Sequence, residues 1–220
     1  MPSDEILPPF EGEIEFLFKD DDIAIVNKVP FFLSVPGRHP GNYDSVQSRI
    51  QKDYPESMCA HRLDLDTSGI MIVALHKDAL RVLHRQFQER KTYKEYVAEV
   101  YGLVSEDRGS IDLPLIADWP NRPRQKVCYE DGKNALTHWS VTSRNHDLKT
   151  TRLLLNPITG RSHQLRLHMK EFKHPILGCD LYAHDAALAM SPRLLLHASK
   201  LSFTHPTTGE KMTIESAPEF

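Results

Sequence analysis

His61-Arg62-Leu63-Asp64-Leu65-Asp66-Thr67-Ser68-Gly69 runs directly into the apolar stretch Ile70-Met71-Ile72-Val73-Ala74. Basic, apolar and acidic residues alternate. A hydroxyl-bearing turn, a glycine and a run rich in β-branched residues follow. In an extended segment alternation sends His61 and Leu63 to one side and Arg62 and Asp64 to the other. Asp66, two residues on, shares the side of Asp64 and competes with it. The run after Gly69 reads as a buried strand at residues 70–75. A carboxylate and a guanidinium on a loop tied to such a strand are where catalytic groups are found, because a rigid scaffold fixes their positions.

Working outward, five other stretches set polar or charged residues among apolar ones. They are Asn27-Lys28-Val29-Pro30, Lys94-Glu95-Tyr96, Gly160-Arg161-Ser162-His163-Gln164-Leu165-Arg166-Leu167-His168, His174-Pro175-Ile176-Leu177-Gly178 and Leu195-Leu196-His197-Ala198. Together with the His61–Gly69 stretch, and in this order, they resemble the motifs of the RluA family of pseudouridine synthases. The likeness runs from about residue 14 to about residue 215. The segment from Asp112 to Pro123 is similar to the short member of that family, which modifies both a ribosomal and a transfer RNA. One departure is Gly178-Cys179-Asp180-Leu181-Tyr182-Ala183, where the family often has G-D-x-x-Y-G; it bears on local loop geometry and leaves the chemistry intact.

The resemblance implies an RNA uridine isomerase acting on stem-loops of 23S rRNA and of tRNA anticodon arms. The reaction breaks the N1–C1′ glycosidic bond, turns the uracil and rejoins it through C5. One carboxylate assists at the ribose, as nucleophile at C1′ or as base at C2′, in the manner of glycosidase carboxylates. The base must first leave its stack. The resemblance gives the carboxylate role to Asp64. Arg166 is the cation expected to hold it ionised, since a nearby positive charge offsets burial. Tyr96 is expected to stack on the uracil and relay the C5 proton. Arg62 is expected to fill the space that the flipped base leaves. Arg122, Arg124, Lys126 and Arg161 are expected to hold the RNA backbone.

Composition is compatible with this reading. The chain has 220 residues, 40% hydrophobic and 26% charged, which suits a globular domain. Residues 1–22 carry eight acids and one lysine, so the remainder carries a net +4 although the total is −3. Residues 77–94 hold six Lys/Arg against two acids, and Arg122, Arg124 and Lys126 have no acid nearby. Such patches, more than the total, steer a polyanion. Three cysteines with no close pair argue against a disulfide framework and for a reducing cytoplasm. No apolar run approaches the ~20 residues of a membrane span. His163 and His168 lie five apart, H-E-x-x-H is absent, and no phosphate-binding glycine loop occurs; no metal or cofactor is expected. The alternatives are an RNA-binding module of the same fold without activity, a synthase with a single RNA target, and a metal-dependent hydrolase.

Strands are expected at residues 13–18, 23–28, 70–75, 92–101, 139–142, 151–155, 194–203 and 212–215. Helices are expected at 45–54, at 77–88 and, capped by Ser162, at 162–172. The class is α+β. The resemblance makes it the pseudouridine synthase fold, a long bent mixed or antiparallel sheet with flanking helices and a central catalytic cleft. Residues 1–12 read as an acidic, loosely packed tail. Residues 13–220 read as one catalytic domain, without a separate N-terminal RNA-binding domain and active as a monomer.

Overall fold

A computed structural model describes residues 6–220. In chain order its elements are β1 (Glu15–Lys19), β2 (Ile23–Lys28), α1 (Val46–Ile50), β3 (Met58–Cys59), β4 (Ser68–Ala74) and α2 (Lys77–Gln88). Then come β5 (Tyr93–Tyr101), β6 (Arg108–Asp112), β7 (Leu115–Ala117), β8 (Gln125–Val127), β9 (Leu136–Asn145) and β10 (Thr150–Pro157). Last are α3 (Gln164–Glu171), α4 (Asp185–Ala189), β11 (Leu196–Thr204) and β12 (Lys211–Glu215). Strands far outnumber helices, which makes the architecture α+β as expected.

The chain forms two compact units. The first holds residues 6–93 and Ala198–Pro218. Its strands run in the order β1-β2-β4-β11, with β3 also on β4 and β12 on β11. Strand β4 is buried along its whole length, and β2 pairs with it antiparallel from Ile23↔Ala74 to Lys28↔Gly69. Ile23, Ile25, Ile70 and Ile72 form a core with Leu83 of α2 and with Leu201 and Phe203 of β11. Gly69 is required where it stands. Its φ is +115°, and a Cβ there would lie 2.3 Å from the carbonyl oxygen of Ala198.

Residues 6–12 form no regular element but are docked. Leu7 N–H donates to Asn42 Oδ1 at 2.8 Å. Arg49 donates to the carbonyls of Phe10 and Gly12, and its guanidinium lies 4.9 Å from the ring centres of both Phe10 and Phe32. The part of the expected tail at residues 1–5 lies outside the described residues.

The second unit holds Lys94–His197 with Glu219–Phe220. Its strands run β5-β10-β9-β6 and are antiparallel, and β7 and β8 make a separate hairpin. Ala98, Val100, Leu153 and Leu155 of the sheet pack on Leu165 and Met169 of α3. The expected helix at 162–172 begins later. His163 takes the N-cap position with φ +55° and no side-chain cap, and Ser162 lies outside.

Candidate active site

Asp64 sits in a turn, not on a strand. Thr67 N–H donates to Asp64 O at 3.2 Å, and β4 begins only at Ser68. The expectation that Asp64 and Asp66 share one face of a strand therefore fails. Strict alternation fails with it, although Leu63 is buried and Arg62 exposed. The cause is local. The hydroxyl-rich Asp-Thr-Ser sequence favours a turn over a ladder.

The peptide on either side of Asp64 is gripped by side chains from the end of β2 and from the loop that follows it. The buried Ser34 hydroxyl donates to Leu63 O at 2.7 Å and accepts Leu63 N–H at 3.1 Å. The Lys28 ammonium donates to Leu65 O at 2.9 Å and also to Val29 O at 2.9 Å and Phe32 O at 2.8 Å. Lys28 is only 2% exposed. A buried ammonium is costly unless charge-assisted bonds compensate it, and these carbonyls supply them. His61 Nε2 accepts Ile72 N–H at 3.1 Å, and its ring lies 4.9 Å from that of Phe87 in α2. Sequence reasoning passed over Ser34, and it treated Lys28 only as part of a motif. The available signal was a lysine closing an otherwise apolar strand.

In the second unit Tyr96 lies opposite Leu155 in the β5–β10 pair and packs against the core that includes Leu165 and Met169. Arg166 is 2% exposed. Its Nη2 donates to Asp180 Oδ1 at 2.5 Å and its Nε to Cys179 Sγ at 3.3 Å, and its guanidinium lies 5.7 Å from the Tyr182 ring centre. Arg161 is exposed and donates to Asn134 O at 3.1 Å.

The start of α3 is held by side chains. Gln164 Oε1 accepts from Thr159 Oγ1 at 2.7 Å and from Arg161 N–H at 3.0 Å. Its Nε2 donates to Leu136 O and Thr137 Oγ1, both at 3.0 Å. His168 Nδ1 lies 2.9 Å from Thr137 Oγ1. Burial pushes the His168 imidazole below its ordinary value, against opposing hydrogen bonding to Leu113 O and the charge of Asp112. His163 Nδ1 lies 2.8 Å from Tyr182 Oη, which accepts Gln125 N–H at 2.8 Å. This ties the β7–β8 hairpin to the start of α3.

That hairpin carries Arg122, Arg124 and Lys126, all exposed, so the structure brings these three together. The Arg122 guanidinium stacks on the exposed Trp119 ring. Cys128 follows β8, half-buried, while Cys179 is buried. Burial pushes the Cys59 thiol up to about 12, against the smaller opposing pull of Arg62, and the thiol donates to Ser34 O at 3.3 Å. One cluster among the described residues has ligand-type spacing: Asp20, Asp22 and His205. Both ring nitrogens of His205 are engaged there, Nδ1 by the N–H groups of Thr207 and Thr208 and Nε2 by Asp20 Oδ2 at 2.9 Å.

Residues 22–171 match the family described as RNA pseudouridylate synthase. The chain is 54% identical over 213 residues to the dual-specificity RNA pseudouridine synthase RluA of Escherichia coli (strain K12), covering 97% of both chains. It is 55% identical over 204 residues to the enzyme of the same name from Yersinia pestis, covering 93% of this chain and 98% of that one. Among solved structures it resembles human RNA pseudouridylate synthase domain containing 1, with a TM-score of 0.80 and 26% identity over 97% of this chain and 86% of that one. Human RNA pseudouridylate synthase domain containing 4 has the same fold, with a TM-score of 0.73 and 21% identity over 93% and 88% of the two chains.

Proposed function

The chain belongs to the RNA pseudouridylate synthase family and is an RNA pseudouridine synthase, and from that premise we propose how its residues share the work. Asp64 is the carboxylate that acts at the ribose of the target uridine, as nucleophile at C1′ or base at C2′. Arg166 supplies the positive charge that keeps a carboxylate ionised in a partly dry site. Tyr96 stacks on the detached uracil, and its hydroxyl relays the proton leaving C5. Arg62 occupies the space of the flipped base. Arg122, Arg124, Lys126 and Arg161 bind the RNA backbone. No metal or cofactor takes part.

The observation that carries the assignment is the grip on the peptide at Asp64. Ser34 holds Leu63 and Lys28 holds Leu65, so the aspartate between them has its backbone fixed from both sides. A carboxylate that merely closed a turn would not need two buried polar side chains committed to its neighbours. Positioning of this kind is what a reacting group requires.

The likeness to enzymes named dual-specificity RluA supports two substrates, a ribosomal and a transfer RNA. We place the enzyme in the cytoplasm as a monomer; no helix among the described residues is long and apolar enough to cross a membrane. The test is Asp64→Asn, followed by tritium release from C5-labelled uridine in tRNA and rRNA. The variant should fold and bind RNA like the wild type and release no tritium. Release at the wild-type rate would remove Asp64 from the mechanism.

A further inference from the structure

Two phenylalanines follow Pro30, and their fates differ. Phe32 is 4% exposed, and its ring lies 4.5 Å from that of Phe10. Phe31 is 53% exposed and has φ +60°. A turn with proline second and a positive φ third is the type II pattern, whose third position ordinarily calls for glycine or asparagine. A bulky residue there is an outlier, and strain of this kind persists only where surrounding structure imposes it.

The surroundings here are specific. The carbonyls of Val29 and Phe32, at the two ends of the turn, both accept from the buried Lys28 ammonium. The same ammonium holds Leu65 O, next to Asp64. One cation therefore fixes the strained turn and the catalytic turn together. Ser34, three residues beyond Phe31, fixes the other side of Asp64 through Leu63. Phe31 is displayed on a rigid mount beside the Asp64 turn. Among the described residues its ring contacts no other aromatic ring and no cation, in contrast to Phe32.

We propose that Phe31 is a stacking platform for a nucleobase of the bound RNA, a base adjoining the target uridine. This rests on the assignment of Asp64 as the reacting carboxylate. The chemistry suits the ligand. RNA bases splayed from a loop stack on exposed aromatic rings, and every base has a face to offer. A phenyl ring has no hydrogen-bonding group, so it contributes affinity and placement without reading a base edge. Rigidity matters too, because a pre-positioned ring loses little entropy on binding.

The experiment compares full-length wild type, Phe31→Gly and Phe31→Trp on a synthetic anticodon stem-loop RNA. Affinity, its salt dependence, tritium release and thermal unfolding are each measured. Phe31→Gly should melt no lower than wild type, since glycine accepts the positive φ. It should bind the stem-loop roughly tenfold more weakly, the loss expected for one base stack. The slope of log affinity against log salt should not change, because no charge has been removed. Phe31→Trp should keep wild-type affinity. Equal affinity of Phe31→Gly and wild type would overturn the proposal. So would a lower melting temperature in Phe31→Gly that accompanies its loss of affinity, which would make the ring structural. Tritium release by Asp64→Asn at the wild-type rate, measured on the same stem-loop, would instead count against the role assigned to Asp64.

Discussion

Ser34 uses one hydroxyl twice, accepting the N–H and donating to the carbonyl of Leu63. Ser34→Ala removes both bonds inside a buried site. It should cost about 1–3 kcal/mol of stability, since buried backbone groups are left without their partner. Chemical denaturation measures this. The larger expectation concerns Asp64, one residue on. With the peptide released on one side, kcat should fall about ten- to a hundredfold while RNA affinity stays put, because Ser34 is buried and offers RNA no surface. Equal loss in kcat and affinity would mean that the hydroxyl serves the fold generally. At this scale the sequence was partly legible. Asp64 stood out by its neighbours in a motif. Ser34 did not, because a serine in a proline- and glycine-punctuated loop looks like any turn residue, and its partner lies 29 positions away.

Elements were most legible where one periodicity dominated. The bounds of β2 and α2 agree to the residue with the pattern, since Ile23–Val26 is a short apolar run closed by Asn27 and Lys28, and Lys77–Gln88 places Leu80, Leu83 and Phe87 on one face. Strands β6, β7 and β8 were not foreseen. Arg108–Asp112 and Gln125–Val127 hold few apolar residues; β6 is decided by its pairing with β9 further along the chain, and β7 and β8 are three-residue strands too short to show a period. Helix α3 shows a different limit. Ser162 is the better capping type, but Gln164 accepts the Arg161 N–H, and the chain turns at His163 in a left-handed conformation. The His168 ring buried on α3 has its own consequence. Its proton affinity is lowered in the folded state, so the unfolded chain binds the proton first as pH falls. The stability it contributes is present above the ordinary imidazole value near 6.5 and is lost as pH drops below it toward the folded value. Unfolding followed between about pH 7 and pH 5 should show this slope, and His168→Gln should flatten it. An unchanged slope in the variant would assign the pH dependence to another group.

Across the whole chain, charge was the hardest property to read and the most useful. A net of −3 hides an acidic N-terminal stretch and a remainder that is positive. Arg122, Arg124 and Lys126 share the β7–β8 hairpin. Replacing any one of them with alanine should weaken RNA binding without changing which RNA is preferred, and should make the salt dependence shallower by about 0.7–0.9 in log–log slope. Filter binding between about 50 and 200 mM salt measures it. An unchanged slope for all three variants would remove the hairpin from the RNA path. Composition could place basic residues near one another in sequence, but it could not foresee that Tyr182 and His163 would brace the hairpin they occupy. It also could not foresee that residues 6–12, expected as a loose tail, lie docked on Arg49 and Asn42.

The three thiols differ in their surroundings in a way an experimenter can use. Cys179 is buried, and burial pushes the Cys59 thiol up to about 12, which disfavours its reactive thiolate. Cys128, half-buried at the end of the β7–β8 hairpin, is the thiol that a maleimide should reach first. The wild-type enzyme therefore comes with a built-in footprinting handle. A fluorophore placed there without any mutagenesis would show whether a stem-loop reaches that hairpin, and on what timescale it comes and goes.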